Sequence, residues 1–324
     1  MTMSQRPARC LATALGFALA LSPNARGMAP GESSNLAPAL ERIEAQHLRE
    51  PGRGIQGRIG VYALRGAREL GHRSDERFAY CSSFKWILAA AMLRAADEGR
   101  MDLNRPVSFT RKDLILNSPI TGARLQKGGR AEMSVADLCA ATLTTSDNTA
   151  ANLLESLIGG PSGLQRFVRV LGDVTTRFDR MEPELNSNRP GDPRDTTTPS
   201  AMARLLKTLL ETETLSAASR HRLTTWMKGA TTGAQRLQAG LPSGWSLAHK
   251  TGTGANGAVN DVGVLFPPSG DPIYLCVFTD GGPSNLPGHE AAIAETTRIV
   301  VNALGAEPKS DEATHNSPRP GFQP

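Results

Sequence analysis

The amino-acid sequence predicts an α/β fold, an α+β sandwich in which an antiparallel sheet of about five strands is flanked by terminal helices. Strand-like alternation occurs near both ends of the chain, helical spacing dominates its middle, and no internal repeat is visible. We therefore expect residues 36–80 and 231–305 to form an α/β subdomain. Residues 81–230 would form an inserted all-helical subdomain, with the active site in the cleft between the two.

The first half of the chain begins with a helix. Apolar side chains recur at helical intervals in residues 36–50, whereas residues 57–66 and 68–80 alternate as in two strands joined by a turn. Residues 82–99 are almost continuously apolar and predict a long buried helix. The stretch AEMSVADLCAATLTTSDNTAANLLESLIGG, residues 131–160, predicts a helical pair.

A long loop separates these helices from the strands of the second half. Residues 173–198 are rich in Pro, Asp, Asn and Arg without any period, and an ordered loop of this length is usually functional. Within it we expect an omega-type loop at residues 177–196. Three strand-like segments follow Gly240, and residues 290–304 predict a closing helix.

The two ends of the chain differ from the rest. Residues 1–27 carry arginines and then about a dozen apolar residues, enough for a secretory signal peptide and too few to span a bilayer. An amphipathic helix is the alternative, but charge and apolarity occur in blocks. We expect an exported protein, periplasmic or secreted, with no membrane span in its mature form. Residues 306–324 are polar and Pro-rich and predict a disordered tail.

The composition argues against several functional classes. The net charge is +5, the basic residues are scattered and aromatic residues make up 5%, so we expect no nucleic-acid partner. None of the six histidines has H-x-H or H-E-x-x-H spacing, so we expect no metal and no cofactor. We also expect a monomer. Cys10 lies in the predicted signal peptide; the other cysteines, Cys81, Cys139 and Cys276, are odd in number, which permits at most one disulfide.

The stretch CSSFKWILAAAML, residues 81–93, places a lysine at the head of an apolar helix. Burial of an ammonium group costs several kcal/mol unless a partner compensates. Lys85 could extend into water while Ser82 caps the helix. Alternatively, since an offset of three places both residues on one helix face, Lys85 could accept the hydroxyl proton of Ser82.

Two further motifs have similar double interpretations. SDN at residues 146–148 is compatible with a helix cap, or with a hydroxyl for proton relay and an amide for a substrate carbonyl. KTGTG at residues 250–254 is compatible with an edge strand protected by its lysine, or with a site for a carboxylate. Glycines within a strand often mark the close approach of another backbone or a ligand.

In this order, the motifs S-x-x-K, S-D-N and K-T-G resemble those of the penicillin-recognising serine acyl-transferases. Residues 182–186, EPELN, resemble the E-x-E-L-N of the class A β-lactamase omega loop, whose glutamate and asparagine hold a water. The similarity to class A serine β-lactamases extends over residues 36–304. It implies hydrolysis of the amide bond of penicillins and cephalosporins through an acyl-serine, which confers β-lactam resistance.

The resemblance also implies roles for individual residues. Ser82 would be the nucleophile and Lys85 its activating partner. Ser146 would relay protons, and Glu182 would act as base on the hydrolytic water. The backbone N–H groups of Ser82 and Thr253 would form the oxyanion hole. The implied substrate-binding residues are Asn148, Asn186, Lys250, Thr251, Thr253 and Arg236.

The sequence departs from the family pattern near the cleft. Val259 stands where many members carry a carboxylate-binding arginine, and we assign that role to Arg236. Asn117 replaces an aromatic residue at the cleft mouth, which should weaken stacking against substrate side chains. By resemblance, Arg180 and Asp195 would form a salt bridge that closes the neck of the omega loop.

The cysteines depart from the family pattern as well. Cys81 resembles a half-cystine of the disulfide-bearing carbapenemases, but its usual partner position is Gly254. The family partner position of Cys139 is Ala89. We therefore expect both thiols to be buried and free.

Two alternative functions remain open. A penicillin-binding DD-peptidase would act on peptidoglycan stem peptides, but the EPELN loop argues against it. A covalent β-lactam sensor would need a membrane segment or a fused effector domain, and the sequence shows neither.

Overall fold

The computed structural model describes residues 36–125 and 129–305; the expected signal peptide and tail lie outside them. The helices are α1 (Leu36–His47), α2 (Lys85–Asp97), α3 (Pro119–Leu125), α4 (Val135–Thr144), α5 (Asn148–Leu157), α6 (Pro161–Val170), α7 (Pro199–Glu211), α8 (Ala217–Lys228) and α9 (Leu286–Gly305). The strands are β1 (Arg49–Glu50), β2 (Ile55–Arg65), β3 (Arg68–His72), β4 (Phe78–Ala79), β5 (Pro106–Thr110), β6 (Arg130–Ser134), β7 (Thr196–Thr197), β8 (Ser246–Thr253), β9 (Val259–Phe266) and β10 (Ile273–Gly281).

An antiparallel sheet forms the centre of the fold. The strands β2, β10, β9 and β8 are neighbours in that order, and β1 and β3 both pair with β2. The predicted sheet of about five strands is therefore confirmed, with the two-residue β1 added. Since strand side chains alternate between faces, Val61 and Val277 lie on one face, and Tyr62 and Cys276 on the other.

Each face of the sheet is covered by helices. The terminal helices α1 and α9 pack on the face of Val61, where Leu40 and Ile293 are fully buried. This confirms the sandwich with flanking terminal helices. On the other face, α7 packs across β2 and β10. A methyl group on Gly60 of β2 would approach Phe78 to 2.3 Å, so only glycine fits that close contact.

The helix α2 is the axis of the second, larger core. Every residue from Lys85 to Leu93 is buried, which confirms the buried helix expected from the apolar run. The regular helix begins at Lys85, because residues Cys81–Phe84 form a separate 3-10 turn. Ser82 therefore lies in a tight turn in front of the helix.

The expectation that residues 81–230 are all-helical is wrong. β5 and β6 form a two-stranded antiparallel ladder within this segment, and β7 pairs with β4. The segment PVSFT combines β-branched and aromatic residues, and Phe109 on β5 and Met133 on β6 bury one face of the ladder. Short alternating runs of this kind are easily overlooked between strong helical patterns.

The three cysteines of the described region are buried free thiols. This confirms the expectation for Cys81 and Cys139. Within the same region, no helix combines the length and the hydropathy that crossing a bilayer requires.

Candidate active site

Ser82 is held in a constrained turn. Cys81 adopts a left-handed backbone conformation with φ of 49°, which is unfavourable for a side chain of this type. Asn260 on β9 donates from its side-chain amide to Ala79 O at 2.7 Å and Tyr80 O at 3.1 Å. The Lys85 N–H donates to Ser82 O and closes the 3-10 turn. These contacts fix the backbone on both sides of the Ser82 hydroxyl.

Lys85 is fully buried at the head of α2, so it does not extend into water. Its Nζ donates to Ser146 O at 2.8 Å, to Ser146 Oγ at 3.2 Å and to Asn148 Oδ1 at 2.6 Å. It also lies 3.0 Å from Glu182 Oε1. Burial lowers the pKa of Lys85, and the Glu182 charge only partly offsets this shift.

Glu182 lies directly beside the Ser82 hydroxyl. Its Oε1 accepts a 2.8 Å hydrogen bond from Ser82 Oγ, and its Oε2 accepts one from Asn186 Nδ2. Burial acts to raise the pKa of Glu182, but the Lys85 charge and the hydrogen bonds outweigh it and hold the pKa below its usual range. The carboxylate is therefore ionised at neutral pH and can act as a base.

Asn152 on α5 positions the Glu182 backbone, a role that the sequence reasoning did not predict. Its Nδ2 donates to Glu182 O at 2.8 Å, and its Oδ1 accepts from Glu182 N at 3.1 Å. Its spacing of four from Asn148 places both side chains on one face of α5. That spacing was the available signal, since it places two amide side chains together on one face of the helix.

The Arg180–Asp195 pair closes the neck of the loop that carries Glu182. Arg180 Nε lies 2.5 Å from Asp195 Oδ2, which confirms the expected salt bridge. Asp195 is fully buried and also accepts from Asp179 N and Arg180 N, both at 2.9 Å, and from Tyr80 OH at 3.1 Å. The pair is thus far better fixed than an exposed ion pair, whose contribution is below about 1 kcal/mol.

The strand β8 forms the opposite side of the cleft. Lys250 is fully buried and donates to Thr251 O at 2.8 Å. Burial lowers its pKa well below the usual value, and the nearby charge of Lys85 adds to this shift. Thr251 and Thr232 share a hydrogen bond of 2.7 Å between their hydroxyl groups. This side of the cleft therefore presents hydroxyls and a desolvated cation.

The two glycines of the KTGTG segment permit two close backbone contacts. A Cβ on Gly252 would lie 2.5 Å from Tyr80 O, and one on Gly254 would lie 2.7 Å from Asn186 O. β8 therefore lies directly against the Ser82 turn and the Glu182 loop. These contacts fit the interpretation that the glycines of this strand allow another backbone to approach closely. β8 is an edge strand of the sheet, but Lys250 is buried and therefore cannot protect that edge.

Arg236 reaches the end of β8 from the preceding loop. It is 5% exposed, and its guanidinium donates to Gly252 O at 3.0 Å, Asn260 O at 2.9 Å and Thr253 Oγ1 at 2.7 Å. Glu290 lies 3.2 Å from its Nε. The guanidinium thus lies beside a residue implied to bind substrate.

Asn117 supports the opposite rim of the cleft. It has a left-handed φ of 61°, its carbonyl accepts from Asn148 N at 2.9 Å, and its amide donates to Ser146 O at 3.3 Å. The residue thereby braces the SDN turn from the exposed side. Within the described residues, no group of three or more His, Cys, Asp or Glu side chains could hold a metal ion.

A hydrogen-bonded cluster lies opposite β8 and Arg236; its members are Ser82, Lys85, Glu182, Ser146 and Asn148. A serine hydroxyl bonded to a carboxylate that also contacts a buried amine, facing cations and hydroxyls, is the arrangement of a serine acyl-transferase. A family model described as "Beta-lactamase enzyme family" matches residues 37–304. The chain therefore belongs to the β-lactamase family.

Individual relatives point to one class within that family. The imipenem-hydrolysing β-lactamase of Enterobacter cloacae is 43% identical over 254 residues, which cover 77% of this chain and 86% of the relative. The carbapenem-hydrolysing β-lactamase KPC of Klebsiella oxytoca is 40% identical over 272 residues, 83% and 92% of the two chains. An ancestral class A β-lactamase structure superposes with a TM-score of 0.77 at 44% identity, covering 84% of this chain and all of its own. The chain therefore belongs to class A of the β-lactamases.

Proposed function

We propose that the protein hydrolyses the amide bond of β-lactams through a covalent acyl-serine, and thereby confers β-lactam resistance. The observation that carries this proposal is the 2.8 Å hydrogen bond from Ser82 Oγ to the Glu182 carboxylate, beside a fully buried Lys85. The nucleophile thereby contacts one candidate base, and that carboxylate contacts the second candidate base, Lys85, at 3.0 Å. Membership of the β-lactamase family supports the same reaction.

In the acylation step, Ser82 Oγ attacks the lactam carbonyl and its proton passes to the Lys85–Glu182 pair. Glu182 accepts directly from Ser82 Oγ and lies 3.0 Å from Lys85 Nζ, and the lowered pKa of Lys85 favours its neutral form. Ser146, bonded to Lys85 Nζ, then delivers a proton to the leaving nitrogen as the amide bond breaks. The backbone N–H groups of Ser82 and Thr253 stabilise the oxyanion.

In the deacylation step, Glu182 takes a proton from a water that attacks the ester carbonyl. Asn186 holds the same carboxylate, and Asn152 fixes its backbone, so the base has a single orientation. The products are the opened lactam acid and the regenerated Ser82 hydroxyl. The Arg180–Asp195 pair would keep the omega-type loop closed during this step.

The other side of the cleft would bind the substrate. Its carboxylate would lie against Lys250, Thr251 and Thr253, with Arg236 supplying the charge that the family pattern places at position 259. Asn148 would donate to the acylamide carbonyl. Penicillins and cephalosporins are the proposed substrates, and the names of two relatives add imipenem and other carbapenems as compounds to assay.

The cellular setting is also a proposal. The arginines and apolar run of residues 1–27 support export to the periplasm or medium, where β-lactams meet their targets. We further propose that the enzyme acts as a monomer, because the proposed site is assembled within one chain.

Time-resolved mass spectrometry with benzylpenicillin tests the reaction. We expect rapid turnover by the native protein, and an adduct retained on Ser82 in Glu182→Gln with deacylation slowed about 10³-fold or more, because the variant lacks the base. Glu213→Gln is the matched control, since it makes the same chemical change to a carboxylate that is 96% exposed. A native protein that stays stoichiometrically acylated would instead behave as a penicillin-binding protein.

A further inference from the structure

The helix α5 carries a third polar residue on the face that holds the active site. Asn148 contacts Lys85, Asn152 contacts the Glu182 backbone, and Glu155 follows three residues later. Offsets of four and three place all three side chains on one face of the helix. Glu155 is therefore the next polar group beneath the loop that carries Glu182.

The Glu155 side chain is buried without adequate partners. The residue is 1% exposed, and within the described part of the chain its buried Oε2 has no hydrogen-bond partner. Buried polar atoms are nearly always paired, and an unpaired carboxylate is far more costly to bury than a neutral carboxyl group. The surroundings of Glu155 thus favour the protonated form.

The titratable neighbours of Glu155 belong to three different segments. The carboxylates of Glu182 and Asp195 on the loop both act to raise its pKa, and only the Lys85 ammonium on α2 acts against them. The Tyr80 hydroxyl, which donates to Asp195, is also near enough to be affected by the Glu155 charge. Burial first, and then these two carboxylates, raise the pKa of Glu155 to about 8.

We propose that Glu155 is a positioning residue: its protonated carboxyl group allows the loop that carries Glu182 and Asp195 to close over α5, and its ionisation loosens that loop and sets the alkaline limit of deacylation. An ionised Glu155 adds a third negative charge next to Glu182 and Asp195. The repulsion acts on the base and on the loop neck together. The inference rests on the proposed function for its kinetic part only.

The same titration affects folding. In the unfolded chain Glu155 has the ordinary pKa of 4.5, whereas in the folded protein its pKa is about 8. Between these two pH values the folded protein therefore holds one more proton than the unfolded chain. The contribution of the raised Glu155 pKa to the free energy of unfolding is fully present below pH 4.5 and is lost as the pH rises through about 8. Removal of the carboxyl group should therefore benefit the fold most at alkaline pH.

The test compares the native protein with Glu155→Leu and Glu155→Gln between pH 5.5 and 9.5. Deacylation of benzylpenicillin and the thermal midpoint are measured on each. We expect the alkaline limb of deacylation to move upward by about one pH unit or more in both variants. The gain in thermal midpoint over the native protein should grow by at least about 4 °C from pH 5.5 to 8.5.

The control is Glu213→Gln, which removes a carboxylate that is 96% exposed and should change neither measurement. An alkaline limb that stays in place in both Glu155 variants overturns the proposal, as does a thermal difference that is constant across the pH range. The melting curves need no substrate, so a failure of the Glu155 inference is distinguishable from a failure of β-lactam hydrolysis. Unaltered rates at every pH would assign Glu155 a packing role.

Discussion

Two lysines, one on each side of the cleft, are equally buried but have different hydrogen-bond partners. Lys85 on the helical side has three hydrogen-bond acceptors and the Glu182 carboxylate around its Nζ. Lys250 on the strand side, within the described residues, donates to Thr251 O alone. Burial and the like charge of Lys85 lower its pKa more than the carboxylates of Asp261 and Glu182 raise it. Both side chains are 0% exposed.

The difference in partners indicates that Lys85 takes part in proton transfer and that Lys250 binds the substrate. A cation that is already satisfied can exchange a proton with its partners without rearrangement, which suits the chemistry at Ser82. A desolvated cation whose ammonium contacts no carboxylate within the described residues gains most from an anionic ligand, which suits recognition of a substrate carboxylate. We therefore expect the helical side to govern rate constants and the strand side to govern binding.

The largest effect is expected for Lys85→Met. The variant removes the proton acceptor and leaves Glu182 as a buried carboxylate without a cation, so acylation should slow about 10³-fold and stability should fall by about 3 kcal/mol. Stopped-flow acylation and chemical denaturation measure the two losses. Lys207→Met on α7, whose ammonium donates to Gly66 O on the surface, is the matched control.

Lys250→Met should separate stability from binding. Since burial lowers the pKa of Lys250, the folded state bears a cost that is largest below its folded pKa and vanishes above 10.5, the unfolded value. The variant should therefore melt higher than the native protein, most clearly at acid pH, while KM for penicillins rises about tenfold or more. A lower melting temperature would show that Lys250 is satisfied as Lys85 is.

Arg236→Ala should have the smallest effect. Loss of the guanidinium removes contacts to Thr253 Oγ1 and two carbonyls, so KM should rise about five- to tenfold with little change in kcat. Steady-state kinetics with benzylpenicillin provide the measurement. Arg298→Ala is the control, because Arg298 donates to Ala239 O in the loop next to Arg236 but faces solvent. Equal KM values for both variants would remove Arg236 from the binding site.

Three short motifs of the sequence contain the residues that we propose for the helical side of the site. Ser82, Lys85 and Glu182 do meet, although they are separated by a hundred residues of chain. The sequence did not reveal the positioning roles of Asn152 and Asn260, which belong to none of the three motifs. Their roles depend on which backbone groups lie opposite, and only the packed fold determines that.

The limits of the local elements were harder to predict for the same reason. The start of α2 at Lys85 depends on Asn260 holding the carbonyls of residues 79 and 80 from another strand. The surroundings of Glu155 depend on carboxylates that come from the distant loop segment of Glu182 and Asp195. Neither interaction leaves a periodic signal, so apolar spacing alone extended the helix to Ser82 and left Glu155 unremarked.

The division of work across the cleft can be tested most directly by a crystal structure of Glu182→Gln after reaction with benzylpenicillin. We predict an ester on Ser82 Oγ, its carbonyl oxygen between the N–H groups of Ser82 and Thr253, and the substrate carboxylate within hydrogen-bond distance of Lys250 Nζ. Lys85 should keep its contacts with Ser146 and Asn148. A substrate carboxylate bound away from Lys250, or an adduct on any other residue, would contradict the account.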